Sequence, residues 1–442
     1  MFIARLALLT LSFTSVLPGP AIAQVHRKSV DMPQSARKLI EIKTSGTQRY
    51  GHDEIVAASG LRIGDSVTDD DFKKAAQRLG ETGVFSDVAY GFSYSPLGTK
   101  LDLQLADAQK FVPVRFENFV WFTDEELGKE LRNRVPLFRG EVPVAGTLLE
   151  LLNDALQALL LEKNLPGRVD YMRMAPMDGG DIQALNFTVQ DVKITIQGVK
   201  FLGPASGEET LLIEASKKLL GTDYVRDQVV GFGEKEWLPV YLQRGYLKAH
   251  FGDAVPHVTH QESTSTVVEL SVPVQPGPVY QVEEVSWTGN KVLPAEKLNN
   301  MIHLPVGEAA NAIRLNGDLE AAEKAYQSKG YMRARIKPEA AFDDANNTVR
   351  YTLQVDEGDL FRMGELEILG LDASATSKVR AAWTVREGEP YDAGYANHFL
   401  NEAIKVLPTG VHWAVDVRES VNVEDKTRRE PAIQLQIGRR WP

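Results

Sequence analysis

Five runs of alternating apolar and polar residues, recurring at a spacing of about 80 residues, restrict what this chain can fold into more than any other feature. Leu101, Leu103 and Leu105 alternate with Asp102 and Gln104, and Leu185, Phe187 and Val189 with Asn186 and Thr188. Val268, Leu270 and Val272 alternate with Glu269 and Ser271; Val349, Tyr351, Leu353 and Val355 with Arg350, Thr352 and Gln354; Ile433, Leu435 and Ile437 with Gln434 and Gln436. A period of two marks a strand with one buried and one wetter face. Ahead of each run, between two helical patterns, stands a breaker glycine: Gly64, Gly140, Gly221, Gly307 and Gly388, separated by 76, 81, 86 and 81 residues. That period exceeds those of helical solenoids and propeller blades. Each repeat is long enough for a small core, provided that helices cover one face of its sheet.

The fourth repeat is the clearest. Val279 to Trp287 reads as a strand, Thr288-Gly289-Asn290 turns it, and Pro294 opens a helix where a missing N–H does no harm. Leu304 to Glu308 breaks that helix. Leu315, Leu319, Ala322 and Tyr326 then share one face of a second helix, which Gly330-Tyr331 ends. Two strands follow, joined by Asp343 to Asn347. The order is strand, helix, helix, strand, strand. Second-helix stripes recur at Phe72, Ala75, Ala76 and Leu79; at Leu148, Leu152, Ala155 and Leu159; at Val225, Val229 and Phe232 followed by Leu238, Tyr241 and Leu242; and at Tyr395, Phe399, Ala403 and Val406. A glycine and an aromatic close the helix in Gly83-Val84-Phe85, Gly245-Tyr246 and Gly330-Tyr331, where the aromatic is expected to pack beneath the sheet. Leu165-Pro166-Gly167 and Leu407-Pro408-Thr409-Gly410 stand there in the second and fifth repeats. Thr68 with Asp69-Asp70-Asp71 reads as a helix cap in preference to a metal or acid–base cluster, because a helix N-terminus favours carboxylates. Links between repeats are short, near Asp107 to Lys110, at Asp191, at Pro276-Gly277-Pro278 and at Glu357-Gly358-Asp359.

Met1–Ala23 reads as an export leader: Arg5, an apolar run from Leu6 to Val16, a Pro18-Gly19-Pro20 break and the small-x-small pattern of Ala21-Ile22-Ala23. No later stretch is apolar for long enough to span a bilayer as a helix. Residues 24–37 read as a polar linker. A net charge of −11 argues against sequence-independent nucleic-acid binding, and the basic cluster Lys426 to Arg429 reads as a solvated loop. The chain has no cysteine, which removes disulfides, thiolate chemistry and Cys-ligated zinc. Its eight histidines are scattered, with no His-x-x-x-His pair flanking a carboxylate. Neither a Gly-x-Ser-x-Gly elbow nor a His-Glu-x-x-His frame occurs, so no catalytic or metal residue is assigned and no cofactor is expected. Gly231-Phe232-Gly233 lacks a preceding strand and reads as structural. A small-molecule substrate would call for large lobes around a cleft, which small repeats do not offer.

Together, the repeat order, the breaker glycine, the Gly-aromatic ending and the closing Val355-Asp356-Glu357-Gly358 resemble POTRA domains, the periplasmic arm of BamA-type outer-membrane protein assembly factors. The resemblance is closest in the fourth repeat and continues into Met363 to Gly370; it is loosest in the second. It implies an α+β fold of tandem β-α-α-β-β repeats, each a three-stranded mixed sheet with two helices on one face. The expected repeats span 38–108, 109–190, 191–276, 277–357 and 358–442. After Ile433 to Gly438 only Arg439 to Pro442 remain, too few residues for the barrel of such factors. What the resemblance implies is a periplasmic arm associated with the outer membrane. Its partners would be unfolded or partly folded outer-membrane proteins, or the assembly machinery. They would be bound by strand addition at exposed sheet edges. The alternatives are an envelope adaptor without client binding and the soluble arm of a longer barrel protein. The family's exposed edge is the second strand. That implies Val88, Ala89 and Tyr90; Lys248, Ala249 and His250; and Met332, Arg333, Ala334 and Arg335 as docking candidates. Ala89, Ala249 and Ala334 would let a visiting chain approach. Lys248, Arg333 and Arg335 fit either docking or protection of an edge against aggregation.

Overall fold

A computed structural model of the chain describes residues 34–177, 179–204, 207–403, 413–422 and 430–439. The expected leader, Lys426 to Arg429, Val406 and Leu407 to Gly410 lie outside them. The described residues divide into two compact units. One holds the residues up to Arg115, with Asp124–Glu162 and Val169–Phe187; the other holds Phe116–Thr123, Lys163–Arg168 and everything from Thr188.

The first unit carries two sheets. The first is built from β1 (Leu39–Ser45), α1 (His52–Ser59), α2 (Asp69–Glu81), β2 (Phe85–Ser95) and β3 (Gly98–Asp107), with strand order β1-β3-β2. The second is built from β4 (Phe111–Phe116), α3 (Asp124–Arg134), β5 (Glu141–Pro143), α4 (Leu148–Glu162), β6 (Arg168–Met174) and β7 (Ala184–Gln190), in the order β5-β4-β7-β6. Gln34–Arg37, expected as linker, is a 3₁₀ turn that buries Ala36, whose carbonyl accepts a 2.6 Å bond from the Thr99 hydroxyl.

The second unit carries three sheets. Its first contains β8 (Lys193–Leu202), α5 (Glu209–Ser216), α6 (Arg226–Phe232), α7 (Leu238–Leu242), β9 (His250–Phe251), β10 (Val255–Gln261) and β11 (Ser265–Gln275), in the order β10-β11-β8, with β9 also on β11. Next come β12 (Gln281–Thr288), α8 (Ala295–Asn299), α9 (Ala312–Gln327), β13 (Arg335–Asp343) and β14 (Thr348–Asp356), ordered β12-β14-β13. Last come β15 (Arg362–Ile368), α10 (Ala373–Ala382), α11 (Tyr395–Ala403), β16 (Trp413–Asn422) and β17 (Glu430–Arg439), ordered β15-β17-β16.

In the first, third, fourth and fifth repeats the closing strand is central, parallel to the first strand and antiparallel to the second. A parallel partner requires a crossover, and the two helices supply it. The alternating residues expected to be buried on the closing strand are buried in the fourth repeat, as are Leu315, Leu319, Ala322 and Tyr326 from α9. The same holds for Phe72, Ala75, Ala76 and Leu79 of α2. In α4 the stripe includes Leu156 where Ala155 was expected, because that helix buries a broader face.

The third repeat departs most from its expected stripe. Its second helix opens into a π turn at Gly233–Trp237, so burial falls on Val229, Gly233, Trp237 and Tyr241. The extra residue leaves Leu238 and Leu242 only half-buried, Leu238 still packed against the core. A Cβ on Gly233 would lie 2.9 Å from Cε3 of Trp237, so the second glycine of Gly231-Phe232-Gly233 makes room for the indole. The indole N–H donates a 2.9 Å bond to Ser216 Oγ, and the ring meets Phe201, Phe232 and Phe251 edge-on or tilted.

Two turn motifs have equally local causes. Asp71 Oδ2 accepts bonds of 2.9 and 2.7 Å from the backbone N–H and hydroxyl of Thr68, and Asp70 pairs with Lys74 at 2.7 Å, so this cluster caps and braces α2. Glu357 Oε1 accepts two 2.7 Å bonds, from the N–H groups of Lys291 and Val292, tying the turn after β12 to the end of β14. Tyr326 is buried against this turn; burial first, then the Glu357 charge, pushes its hydroxyl up to about 12.

Candidate functional site

An open sheet edge is a row of unpaired N–H and C=O groups. In these repeats the first strand's outer edge is occupied by the chain's own breaker loop. Gly64 N donates to Leu39 O (2.7 Å), and Leu39 N to Asp65 O (2.8 Å). The pattern repeats in Gly221 N to Ile196 O (2.8 Å) with Ile196 N to Thr222 O (3.0 Å), and in Gly307 N to Val282 O with Val282 N to Glu308 O, both 2.8 Å. It returns once more in Gly388 N to Met363 O (2.7 Å) with Met363 N to Glu389 O (2.8 Å). The glycines hold φ of +101°, +79°, +84° and +84°, a left-handed conformation that lets the loop turn back onto the strand. In the second repeat the loop grows into β5, which pairs with β4 through Phe111–Pro143 and Val112–Val142. That accounts for its fourth strand. Among the described residues no strand pairs the outer side of β2, β10 or β13.

The candidate residues distribute unevenly along those edges. Val88, Ala89 and Tyr90 lie within β2, opposite Leu105, Gln104 and Leu103. Ala89 is exposed, whereas Val88 and Tyr90 are half-buried beside α2; the Tyr90 hydroxyl lies 3.5 Å from Asp69 Oδ1. His250 heads the two-residue β9 and is exposed. Arg335 begins β13, opposite Asp356, and is exposed.

Ala249 and Ala334 correct the expectation. Their relative exposures are 9% and 0%, and both belong to hydrophobic cores. In the first repeat the second strand starts directly at Phe85. In the third and fourth a turn intervenes after the Gly-aromatic pair: Ala249 N donates to Tyr246 O, and Ala334 N to Tyr331 O, each 3.1 Å. The turn carries the alanine under the sheet and delays the strand. Lys248, Met332 and Arg333 therefore sit in turns, not in edge strands. The accessible edges are Val255–Gln261 and the Lys337–Phe342 part of β13, where all but Pro256 are exposed. The aromatics pack as expected: Phe85 against Tyr50 (5.4 Å between ring centres), Tyr246 against Tyr241 (5.3 Å) and Tyr331 against Tyr326 (6.5 Å).

Lys248 and Arg333 occupy equivalent positions with a structural task. Lys248 Nζ donates bonds of 2.6 and 2.9 Å to the two carboxylate oxygens of Asp344 in the next repeat. Tyr280 OH donates to the same carboxylate at 2.6 Å, and the ammonium lies 4.8 Å from the Phe342 ring centre. Arg333 lies over Phe361 at 5.4 Å. Beneath each cation the backbone of the next repeat docks on the helix-ending glycine: Tyr280 N on Gly245 O and Phe361 N on Gly330 O, both 2.8 Å. A Cβ on Gly245 or Gly330 would lie 2.8 Å from the carbonyl oxygen of Tyr280 or Phe361, so a side chain there would obstruct the junction. Hydrogen bonding to Lys248 holds the Asp344 carboxyl below the ordinary carboxylate range, and the bond to Asp344 raises the Lys248 amine. The sequence did carry a signal: Gly-Tyr-x-basic-Ala in two successive repeats, each followed by an aromatic at the next repeat's start.

Residues 280–358 match the POTRA family model, described as a surface antigen variable number repeat. A Treponema pallidum protein named as an outer membrane protein assembly factor is 24% identical over 217 residues, covering 47% of this chain and 25% of that protein. The outer membrane protein assembly factor BamA of Neorickettsia risticii is 20% identical over 366 residues, covering 80% of this chain and 47% of the relative. The chain thus spans between a quarter and a half of the length of these relatives. Among solved structures, POTRA domains 3–5 of Haemophilus influenzae BamA are 21% identical with a TM-score of 0.43, over 55% of this chain and 96% of that one. The N-terminal domain of Omp85 from Thermosynechococcus elongatus is 20% identical with a TM-score of 0.25, over 57% and 99%.

Proposed function

We propose that this POTRA-repeat chain of the BamA-type outer-membrane protein assembly factor family acts as a periplasmic arm in outer-membrane protein assembly. It has no catalytic role in this reading. It holds unfolded or partly folded outer-membrane proteins, or subunits of the assembly machinery, by adding one of their extended segments to a second-strand edge. The division into repeats at 38–108, 109–190, 191–276, 277–357 and 358–442 is part of the proposal. One observation carries it: the first-strand edge is occupied by the breaker loop in every repeat, while among the described residues no strand pairs the outer side of the second strand. Main-chain hydrogen bonds then supply the binding, which tolerates many client sequences. Side chains along the strand supply what selectivity there is.

The absence of cysteine makes the test direct, since a single introduced thiol is the only one in the chain. Cross-linking probes at Glu339 in β13 and His257 in β10 sit on exposed edges, whereas Lys324 on α9 is an exposed control and Ala334 a buried one. Capture of outer-membrane precursors or assembly subunits in cell envelopes at Glu339 or His257, and not at Lys324 or Ala334, is the expected result. Equal capture at Lys324 would remove the edge-specific mechanism. Capture of only peptidoglycan-associated or inner-membrane proteins would replace the assembly role with that of an envelope adaptor.

A further inference from the structure

The β6–β7 hairpin of the second repeat carries a feature that strand addition does not use. Three of the chain's eight methionines fall within six residues, as Met172-Arg173-Met174-Ala175-Pro176-Met177. All three are exposed, with relative exposures of 65%, 38% and 109%. Methionine is among the residue types usually found inside, so three together on the surface call for a cause. The fold does not provide one. β6 packs through its other face, where Val169 is buried and Tyr171 meets Phe187 at 5.8 Å.

Met172 and Met174 share the outward face of β6, with Cα atoms about 6.7 Å apart by strand geometry. The turn then closes on itself: Gln183 N donates to Met174 O at 2.8 Å, and Gly179 N to Pro176 O at 3.1 Å, placing Met177 on the loop just past the strand. Unbranched thioether arms on two adjacent outward positions and on that loop have the length and freedom to converge on one ion. The donor set is all sulfur. The chain has no cysteine, and no histidine occurs between His52 and His250. Neutral thioethers suit soft monovalent metal ions and are poor ligands for zinc, calcium or magnesium.

We propose that Met172, Met174 and Met177 form a three-thioether site for Cu(I). Binding creates three sulfur–metal bonds, with no change of oxidation state and no proton released. The bound ion joins the edge strand to its own turn and covers the outward face of β6.

The test is titration of the full chain with Ag(I), a redox-stable soft ion, followed by methionine-methyl NMR and calorimetry. Anaerobic Cu(I) competition against a chromophoric chelator runs alongside. The expected result is one equivalent bound, with three methionine methyl signals shifted. Met177→Leu weakens binding roughly tenfold or more, and the triple leucine variant abolishes it. Leucine keeps the surface apolar and removes only sulfur, so an unchanged isotherm in the triple variant overturns the proposal. So does saturation of the site by Zn(II) at the same concentration. Met301→Leu, in the fourth repeat, leaves the isotherm unchanged, and circular dichroism of each variant checks that the fold is intact.

Discussion

Two glycines of the fourth repeat separate backbone strain from inter-repeat contact. Gly307 and Gly330 both hold left-handed backbone, at φ +84° and +95°. A Cβ on Gly307 would meet nothing within 4 Å; on Gly330 it would lie 2.7 Å from Leu360 Cδ1 and 2.8 Å from the Phe361 carbonyl oxygen. Gly307→Ala therefore costs the conformational term alone, about 1–2 kcal/mol. Gly330→Ala costs that plus overpacking against the Phe361 carbonyl, which cannot swing aside without breaking the 3.0 Å bond it accepts from the Tyr391 N–H, about 1–3 kcal/mol more. The assay is hydrogen exchange by mass spectrometry on the full chain, with urea unfolding alongside. Gly330→Ala is expected to lower protection at Phe361 and Tyr391 at the junction as well as within the fourth repeat. Gly307→Ala should lower protection only around its own loop and β12. If the two variants lose equal stability and Phe361 stays as protected as in the unmodified chain, the glycine is not a docking point and the reasoning about the junction is wrong.

Three further outcomes follow from the same geometry. Asp344 is held below the ordinary carboxylate range, so its pairing contributes fully above the unfolded value near pH 4 and is lost as pH falls through the lower folded one. Lys248, raised by Asp344, contributes below its unfolded value and loses that contribution only as pH climbs through its folded one. Protection of the Tyr280 amide, corrected for intrinsic exchange, should therefore fall between pH 6 and pH 3; an identical fall in Lys248→Met would dismiss the pair as its source. Gly233→Ala should cost about 1–3 kcal/mol by pushing against Trp237, read as a lowered urea midpoint with altered tryptophan fluorescence; a neutral result would mean the indole has room. Glu357→Ala strands two N–H groups and should cost about 1–3 kcal/mol, whereas Glu357→Gln, which still offers an acceptor, should recover part of it. Equal losses in the two variants would assign the effect to charge instead of hydrogen bonding.

The candidate site was legible only in outline. The resemblance placed the second strand directly after the Gly-aromatic pair, and in the first repeat Val88 to Tyr90 do lie in β2. The same placement failed at Ala249 and Ala334, because a turn of a few residues shifts the start of a strand without changing its composition. The basic residues beside them were read as edge charges, since nothing in a one-dimensional pattern states that Asp344 and Phe361 fold back to meet them. The outer side of the first strand was not read at all: breaker glycines announce a turn, not the strand on which that turn lands.

By itself the sequence determined the repeat, the order of elements and the inward faces of the clearest helices and strands, because periodicity and turn chemistry are local properties of the chain. Tertiary structure decided which edges stay open, which cations lock one repeat to the next, and where a π turn rotates a helix by one residue. Those depend on backbone groups and side chains far apart in sequence meeting at hydrogen-bond distance, and no local pattern encodes such a meeting.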